Sequence, residues 1–272
     1  MCIRDSIGAV SYLNTKPLVY GLQESDDRFE VVFDLPSRLA DRLAQRELDV
    51  ALVPVIEAIT NPIYTIVSDA CIACRGPVRS VKLFSKVQPD SIRSLALDEG
   101  SRTSVALTKV ILQQRFNNQP VFCPLPIEES WRETNADAAL VIGDRAMNSL
   151  SDDDLPFCVE IDLGEFWNRW TELPFVFAVW AALPGTDLGL LDEALSHARD
   201  EGLKNLDSIS ASASQAYGLS SSECRDYLEK QLHFTLGTRE KMGLSQFFGY
   251  AKQLSLIGQD LSLQFYDCKI TG

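Results

Sequence analysis

The chain has 272 residues, of which 46% are hydrophobic and 23% are charged, and its formal net charge is −13. This composition is typical of a soluble globular protein, and the length allows one large α/β domain or two smaller lobes. Nucleic acids and anionic membranes require a basic face, so the acidic balance argues against both as partners. A small anion remains a possible ligand, since backbone N–H groups can bind it.

The chain carries no targeting signal that we recognise. Its N-terminus has no apolar run behind a basic start, and no apolar run approaches the ~20 residues that span a bilayer. The seven cysteines are odd in number and scattered. These features predict reduced thiols and a cytoplasmic location. Residues 1–6, MCIRDS, show no strand alternation, so we interpret them as a leader or an artefact outside the fold.

The N-terminal part of the chain alternates predicted strands with predicted helices. In chain order these elements are a strand over Ile7–Val10, a helix over Pro17–Leu22, a strand over Phe29–Pro36, a helix capped by Ser37 and a strand over Leu48–Val53. This order predicts a parallel sheet.

The middle of the chain supplies further strands, and the strands as a whole fall into two groups. Its predicted elements are strands over Tyr64–Gly76, Arg79–Lys86 and Ser94–Leu97, a helix from about Thr103, a strand over Pro120–Pro126, a short helix over Glu128–Thr134, and strands over Ala138–Gly143 and Leu173–Leu183. From Asp187 to the end the pattern is helical. We expect two lobes around a cleft, with residues 7–83 and 180–272 in lobe 1 and residues 84–179 in lobe 2.

The segment Ser11–Thr15, here called the polar elbow, places four hydrogen-bonding side chains directly after the first core strand: Ser11, Tyr12, Asn14 and Thr15. Asn14 or Thr15 could cap a helix that starts near Pro17. The same side chains could contact a ligand, because open α/β sheets bind ligands at the carboxyl ends of parallel strands. Local chemistry leaves both interpretations open.

A second polar segment, Gly100–Ser104, stands at a strand-to-helix junction. Free N–H groups, the helix dipole and the hydroxyls of Ser101, Thr103 and Ser104 would together favour an anion there, and we favour a carboxylate. The alternative is a simple N-cap. The segment contains neither nucleotide-binding glycine pattern, GxGxxG or GxxxxGK[ST].

Three further residues have both a functional and a structural interpretation. Gly143 and Asp144 follow a buried strand, so they could face the same cleft or form a turn with a solvated ion pair. Ser80 precedes the strand at Val81 and could likewise face the cleft or the solvent.

Cysteine and histidine give no sign of a metal or redox site. Cys71 and Cys74 form a CxxC pair, but it lies in strand-like sequence and lacks a second pair, so we predict two small core residues. His197 and His233 are both remote from the junction motifs, which leaves no Ser-His-Asp arrangement and no metal cluster.

Six segments together closely resemble the chorismate dehydratase family, whose members open the futalosine route to menaquinone. They are IGAVSYLNTKPLVYGL, ELDVALVPVIE, GPVRSVKLFSK, LALDEGSRTSVAL, AALVIGDRAM and LPFVFAVWAA, in collinear order from about Ile7 to Leu183. The resemblance implies the fold of type II periplasmic binding proteins, with two α/β lobes that close on a ligand. It also implies dehydration of chorismate to 3-[(1-carboxyvinyl)oxy]benzoate without metal or organic cofactor.

The resemblance also suggests roles for the site residues. Asn14 would hold the polar edge of the substrate near the reacting carbons as the catalytic residue. Ser101, Thr103 and Ser104 would bind a carboxylate, and Ser80 would donate from the other side of the cleft. The proton acceptor would be the substrate's own enolpyruvyl carboxylate or Asp144.

Three alternatives share parts of this pattern. A solute-binding protein for a carboxylated ligand would share the fold but should carry an export signal. The enzyme 1,4-dihydroxy-6-naphthoate synthase shares the fold without the SYLNTKPL segment. A ligand-sensing domain would accompany a DNA-binding helix-turn-helix. The sequence does not indicate which oligomeric state the protein adopts.

Overall fold

The computed structural model describes residues 5–22, 28–61 and 63–266, and its strands form two sheets. The strands are β1 Asp5–Val10, β2 Phe29–Asp34, β3 Val50–Pro54, β4 Thr65–Cys74, β5 Val81–Ser85, β6 Ser94–Asp98, β7 Val121–Leu125, β8 Ala138–Ile142, β9 Val159–Asp162, β10 Phe175–Ala182, β11 His233–Thr235 and β12 Gln264–Phe265. The prediction of two groups of strands is therefore confirmed.

Eight α-helices are present within the described residues. They are α1 Pro36–Ala44, α2 Val55–Thr60, α3 Arg102–Phe116, α4 Leu163–Thr171, α5 Leu191–Lys204, α6 Leu206–Tyr217, α7 Ser221–Asp226 and α8 Thr238–Gln253. Short 3-10 helices cover Leu13–Val19, Pro89–Ser91, Trp131–Glu133, Gly143–Ala146 and Asp152–Asp154, and a π-helical turn covers Tyr227–Gln231. Among these described helices, none has the length and apolar character needed to cross a bilayer.

The larger sheet has the strand order β11-β4-β10-β3-β1-β2, with β12 also paired to β4. Strand β1 is parallel to β2 and β3, as the strand–helix–strand order predicts. Strand β10 is antiparallel to both β3 and β4, and all of its residues are buried. A strand covered on both faces needs a continuous apolar run, and Phe175–Ala182 supplies one.

The smaller sheet has the order β7-β6-β8-β5-β9. Strand β6 is parallel to β7 and β8, whereas β5 is antiparallel to β8 and β9. The carboxyl ends of β6 and β8 therefore meet at one edge of this sheet, which is where polar segments follow them in the sequence.

The chain passes twice between the sheets, once after β4 and once before β10. Strand β5 lies wholly in the smaller sheet and β10 wholly in the larger, so the crossings are residues 75–80 and 172–174. The predicted lobe boundaries at 83/84 and 179/180 fall inside these two strands. The predicted boundaries make β5 and β10 themselves the connections between the lobes. In the structure, the ladder hydrogen bonds assign each of these strands to a single sheet.

The beginning of the chain differs from its predicted structure. Asp5 and Ser6 belong to β1, and the Ser6 N–H and hydroxyl both donate to the Asp49 carboxylate, at 2.8 and 2.7 Å. The interpretation of residues 1–6 as lying outside the fold is therefore wrong for these two residues, because β2 and Asp49 satisfy their hydrogen bonds. Residues 1–4 lie outside the described part of the chain.

Two predicted helix starts also differ. The last three residues of the polar elbow already belong to the 3-10 helix Leu13–Val19, which has no side-chain cap and stands in place of the predicted helix over Pro17–Leu22. Helix α1 begins at Pro36 with Leu35 as its N-cap, so Ser37 is the second residue of the helix and not its cap. Proline is favoured in the first helical turn because its missing N–H would be unpaired there anyway.

An aromatic cluster packs where the chain re-enters the larger sheet. Trp167 of α4 is fully buried, and its ring contacts Phe175 of β10 and Phe247 of α8 at centroid distances of 5.3 and 6.2 Å. Its indole N–H donates to the Pro174 carbonyl at 3.1 Å. The second crossing is therefore held against both β10 and the C-terminal helix.

Candidate active site

A pocket lies between the two sheets and is lined by residues from both. Its empty volume is about 500 Å³, counting space open to solvent. The apolar part of the lining consists of Val10, Pro36, Pro54, Ile72, Val78, Val81, Ile142, Phe177 and Ala178. The polar part consists of Tyr12, Asn14, Ser80, Ser101 and Ser104, with the backbone of Gly143. All of these lining residues are uncharged.

The polar elbow enters the pocket from the carboxyl end of β1. Asn14 is partly exposed to the pocket, and its Oδ1 accepts a hydrogen bond from Thr15 Oγ1 at 3.3 Å. Thr15 itself is fully buried beneath it. Ser11 is exposed, and its carbonyl accepts a hydrogen bond from the Tyr217 hydroxyl at 3.1 Å. The structure thus brings Tyr12 and Asn14 to the pocket and places Ser11 and Thr15 around them as supports.

The N-terminus of α3 faces the pocket from the smaller lobe. Ser101 caps the helix by accepting the Ser104 N–H at 3.2 Å, and its hydroxyl donates to Ser104 Oγ at 2.8 Å. The predicted N-cap is therefore confirmed for Ser101, and Ser101 and Ser104 also line the pocket, where the predicted anion site would lie. Thr103 points elsewhere, since its Oγ1 accepts the Ile56 N–H at 3.3 Å.

Tyr12 crosses from the larger lobe onto the smaller one. A Cβ at Gly143 would lie 3.0 Å from the Tyr12 ring, and a Cβ at Gly100 would lie 3.3 Å from its hydroxyl oxygen. Gly143 also has a φ of +67°, which a larger residue adopts only with strain. Burial raises the pKa of Tyr12, so its hydroxyl stays protonated as a donor.

Asp144 ties the smaller lobe to the polar elbow. Its carboxylate accepts the backbone N–H of Leu13, and burial raises its pKa to about 6, an effect that this hydrogen bond partly offsets. Its neighbour Arg145 has a structural role. Its guanidinium donates to Asp98 at 3.1 Å and to the carbonyls of Ile127 and Glu129. The predicted solvated ion pair of this turn is thus replaced by a network with the Asp98 carboxylate, which is buried.

The cysteines and histidines lie away from this pocket. Cys71 and Cys74 are fully buried in β4, as predicted, and burial raises the pKa of both thiols. His197 is exposed on α5, and His233 lies in β11 against the Arg75 guanidinium at 2.9 Å. Within residues 5–22, 28–61 and 63–266, no three His, Cys, Asp or Glu side chains are grouped to hold a metal ion.

The geometry can be compared with known proteins. A family described as menaquinone biosynthesis has a model that matches residues 6–253, which is most of the chain and includes every segment of the pocket. The chain belongs to this family. Its match begins at Ser6, consistent with the place of Ser6 in β1.

Two relatives of this member of the menaquinone biosynthesis family carry the same enzyme name. The chain is 29% identical over 262 residues to a chorismate dehydratase from Thermus thermophilus, covering 89% of this chain and 93% of the relative. It is 26% identical over 255 residues to a chorismate dehydratase from Campylobacter jejuni, covering 92% and 98%. The resemblance found in the sequence motifs is therefore confirmed.

Solved structures of low sequence identity share the fold. A protein from Archaeoglobus fulgidus matches with a TM-score of 0.77 and 14% identity, covering 93% of this chain and 98% of that one. The periplasmic aliphatic sulphonate binding protein SsuA from Escherichia coli matches with a TM-score of 0.58 and 13% identity, covering 96% and 90%. The predicted periplasmic-binding-protein-like fold is thus confirmed for this member of the menaquinone biosynthesis family.

One polar residue near the pocket escapes sequence reasoning. Tyr227 is buried, its hydroxyl donates to Ser80 Oγ at 2.8 Å, and the same hydroxyl is hydrogen-bonded to the Asn14 side chain. In the sequence, Tyr227 shares an apolar helical face with Leu228 and Leu232, so its pattern indicates core. In the sequence around Tyr227, only its hydroxyl group could have indicated a role in the pocket. Buried tyrosines often carry such a hydroxyl without a functional role.

Proposed function

We propose that this protein is a chorismate dehydratase, a carbon–oxygen lyase that acts in the cytoplasm. The pocket carries the proposal, because its apolar wall suits a six-carbon ring while its uncharged donors are placed to bind anionic groups. Membership in the menaquinone biosynthesis family and the two relatives named chorismate dehydratase support the same activity.

The proposed reaction removes water from the ring of chorismate. The C3 proton and the C4 hydroxyl leave, together forming water, and the ring becomes aromatic as 3-[(1-carboxyvinyl)oxy]benzoate. Aromatisation supplies much of the driving force, so the enzyme must chiefly orient the ring, fix both carboxylates and exclude bulk water. A pocket lined by uncharged side chains between the two sheets is suited to that task.

One carboxylate would bind at the N-terminus of α3. The free N–H groups and the positive end of the helix dipole attract an anion, and the Ser104 hydroxyl adds a donor within the pocket, because the Ser101 hydroxyl already donates to Ser104 Oγ. This arrangement binds a carboxylate without a charged side chain, which is consistent with the uncharged lining.

Asn14 would act on the reacting edge of the ring. It lines the pocket at the end of β1, and its amide can hold both the C4 hydroxyl and the enolpyruvyl group by hydrogen bonds. An amide is too weak a base to take the C3 proton. We propose the enolpyruvyl carboxylate as the acceptor, since Asp144 is not among the residues that line the pocket and its carboxylate accepts the Leu13 N–H.

Conversion of chorismate by the purified protein tests the proposal. We expect mass spectrometry to show an aromatic product lighter than chorismate by one water, formed at the same rate with and without a chelator. Heat-denatured protein controls for the spontaneous decay of chorismate. Binding of chorismate without any turnover would instead favour a solute-binding protein, the class to which the sulphonate-binding structural neighbour belongs.

A further inference from the structure

Tyr227 brings the C-terminal helical region into contact with the pocket. It follows α7 as the first residue of the π-helical turn Tyr227–Gln231, and only 1% of its surface is exposed. Its hydroxyl meets two pocket residues that are distant in sequence, Ser80 at 2.8 Å and the Asn14 side chain. Single π-helical turns are frequent at functional sites because they redirect a side chain within a helix.

We propose that Tyr227 is a positioning residue that orients Asn14 and Ser80 for dehydration, a role that rests on the function proposed above. The hydrogen bonds have one consistent direction. Thr15 donates to Asn14 Oδ1 and the Tyr227 O–H donates to Ser80 Oγ, which leaves the Tyr227 oxygen to accept from the Asn14 amide N–H. The Ser80 hydroxyl proton is then left for a ligand in the pocket.

The need for such a residue follows from the freedom of its two partners. A serine hydroxyl rotates, and an asparagine amide can turn to exchange its donor and acceptor. Asn14 lies on the polar elbow of the larger lobe, whereas Ser80 lies on the first crossing, where its carbonyl accepts the Gly143 N–H of the smaller lobe at 2.8 Å. The Tyr227 hydroxyl, held by its buried ring, therefore sets both donors relative to each other.

Because burial raises the pKa of Tyr227, its hydroxyl remains protonated and keeps this direction across the neutral range. A phenylalanine at the same position would preserve the ring in its buried site and remove only the oxygen. Tyr227→Phe is therefore the sharpest test of the role.

We expect Tyr227→Phe to lower kcat for chorismate dehydration by about 10- to 100-fold, since small misplacements of orienting groups have effects of this size. KM should change by less than about threefold, because the carboxylate site at α3 is untouched. The matched control is Tyr64→Phe, since Tyr64 is also buried and its hydroxyl donates to the Ala40 carbonyl at 3.0 Å. The control should lose comparable thermal stability and keep the wild-type kcat.

A second measurement separates positioning from stability. In a Ser80→Ala background, adding Tyr227→Phe should lower kcat by a smaller factor than it does in the wild type, because only the hydrogen bond to Asn14 is then left to lose. Full additivity of the two substitutions, or a wild-type kcat for Tyr227→Phe alone, would overturn the proposal.

A crystal structure of Tyr227→Phe tests the positioning role without measuring activity. We expect the Asn14 amide or the Ser80 hydroxyl to turn, or to occupy more than one conformation. Unchanged positions of both side chains would overturn the positioning role even if the wild-type protein dehydrates chorismate. Conversely, altered positions in a protein that does not convert chorismate would retain the role and reject the proposed reaction.

Discussion

The Asp144 carboxylate accepts the backbone N–H of Leu13, so a side chain of the smaller lobe closes on the polar elbow of the larger one. Burial raises the pKa of Asp144 to about 6. Asp144 therefore titrates at a higher pH in the folded protein than in the unfolded chain.

Stability should depend on the protonation of Asp144. Between its ordinary pKa of 3.8 and its folded value of about 6, the folded protein retains a proton that the unfolded chain has released. The stabilisation linked to this proton is complete below 3.8 and is lost as pH rises through about 6. The Tm of Asp144→Asn minus the Tm of the wild type should therefore increase when the pH is raised from about 5 to about 7. Thermal melts at both values check this, with the exposed Asp90→Asn as the control; an equal difference at the two values would contradict it.

Turnover should depend on Asn14 and not on Asp144 as a base. We expect Asn14→Ala to lower kcat by about 100-fold or more while chorismate still binds, because an orienting group at the reacting atoms is lost. Asp144→Asn keeps an oxygen acceptor for the Leu13 N–H and should retain kcat within about tenfold. Steady-state kinetics with calorimetric binding measure both. The reverse pattern would make Asp144 the proton acceptor.

Substitutions in the proposed carboxylate site at α3 should raise the KM for chorismate. Ser104→Ala removes a pocket hydroxyl and leaves Ser101 as the helix cap, so we expect KM to rise roughly tenfold, the cost of a hydrogen bond to a charged group. Thr108→Ala is the matched control, since the buried Thr108 hydroxyl donates to the Ser104 carbonyl at 2.8 Å within the helix. A larger KM effect for the control would argue against the site.

The position of the polar elbow should depend on Gly202. This glycine of α5 packs against the 3-10 helix, and a Cβ there would lie 2.1 Å from the Pro17 carbonyl oxygen. Gly202→Ala should cost about 1–3 kcal/mol of stability and lower kcat, because the elbow that carries Asn14 must shift. Gly249→Ala is the control, since a Cβ there meets nothing within 4 Å and should leave stability unchanged or slightly higher. Chemical denaturation and kinetics of both variants test this.

Much of the fold and part of the site could be predicted locally. The strands β1, β3, β8 and β10 are apolar runs bounded by polar or turn residues, and their pattern predicts both their existence and their burial. Asn14 and Ser101 were identified because each follows a strand at the carboxyl end, where such sheets bind ligands. Local sequence order is sufficient for this kind of inference.

Other features depend on partners distant in the chain. Ser6 joins β1 because Asp49 pairs with it, and Thr103 turns away from the pocket because the Ile56 N–H needs an acceptor. Neither partner is visible from the residues around the position itself. A polar side chain near a junction can therefore be predicted as a candidate, but its direction cannot.

The sequence by itself determined the alternation of strands and helices, the two groups of strands and the polar segments that follow β1 and β6, since these depend on hydrophobic period and local turn chemistry. Only the tertiary structure decided which of those polar groups share a pocket. It also placed Tyr227 between Asn14 and Ser80, which are 66 residues apart in the chain. The physical reason is that a hydrogen bond depends on distance and direction in space, which packing of the two lobes sets and local sequence does not encode.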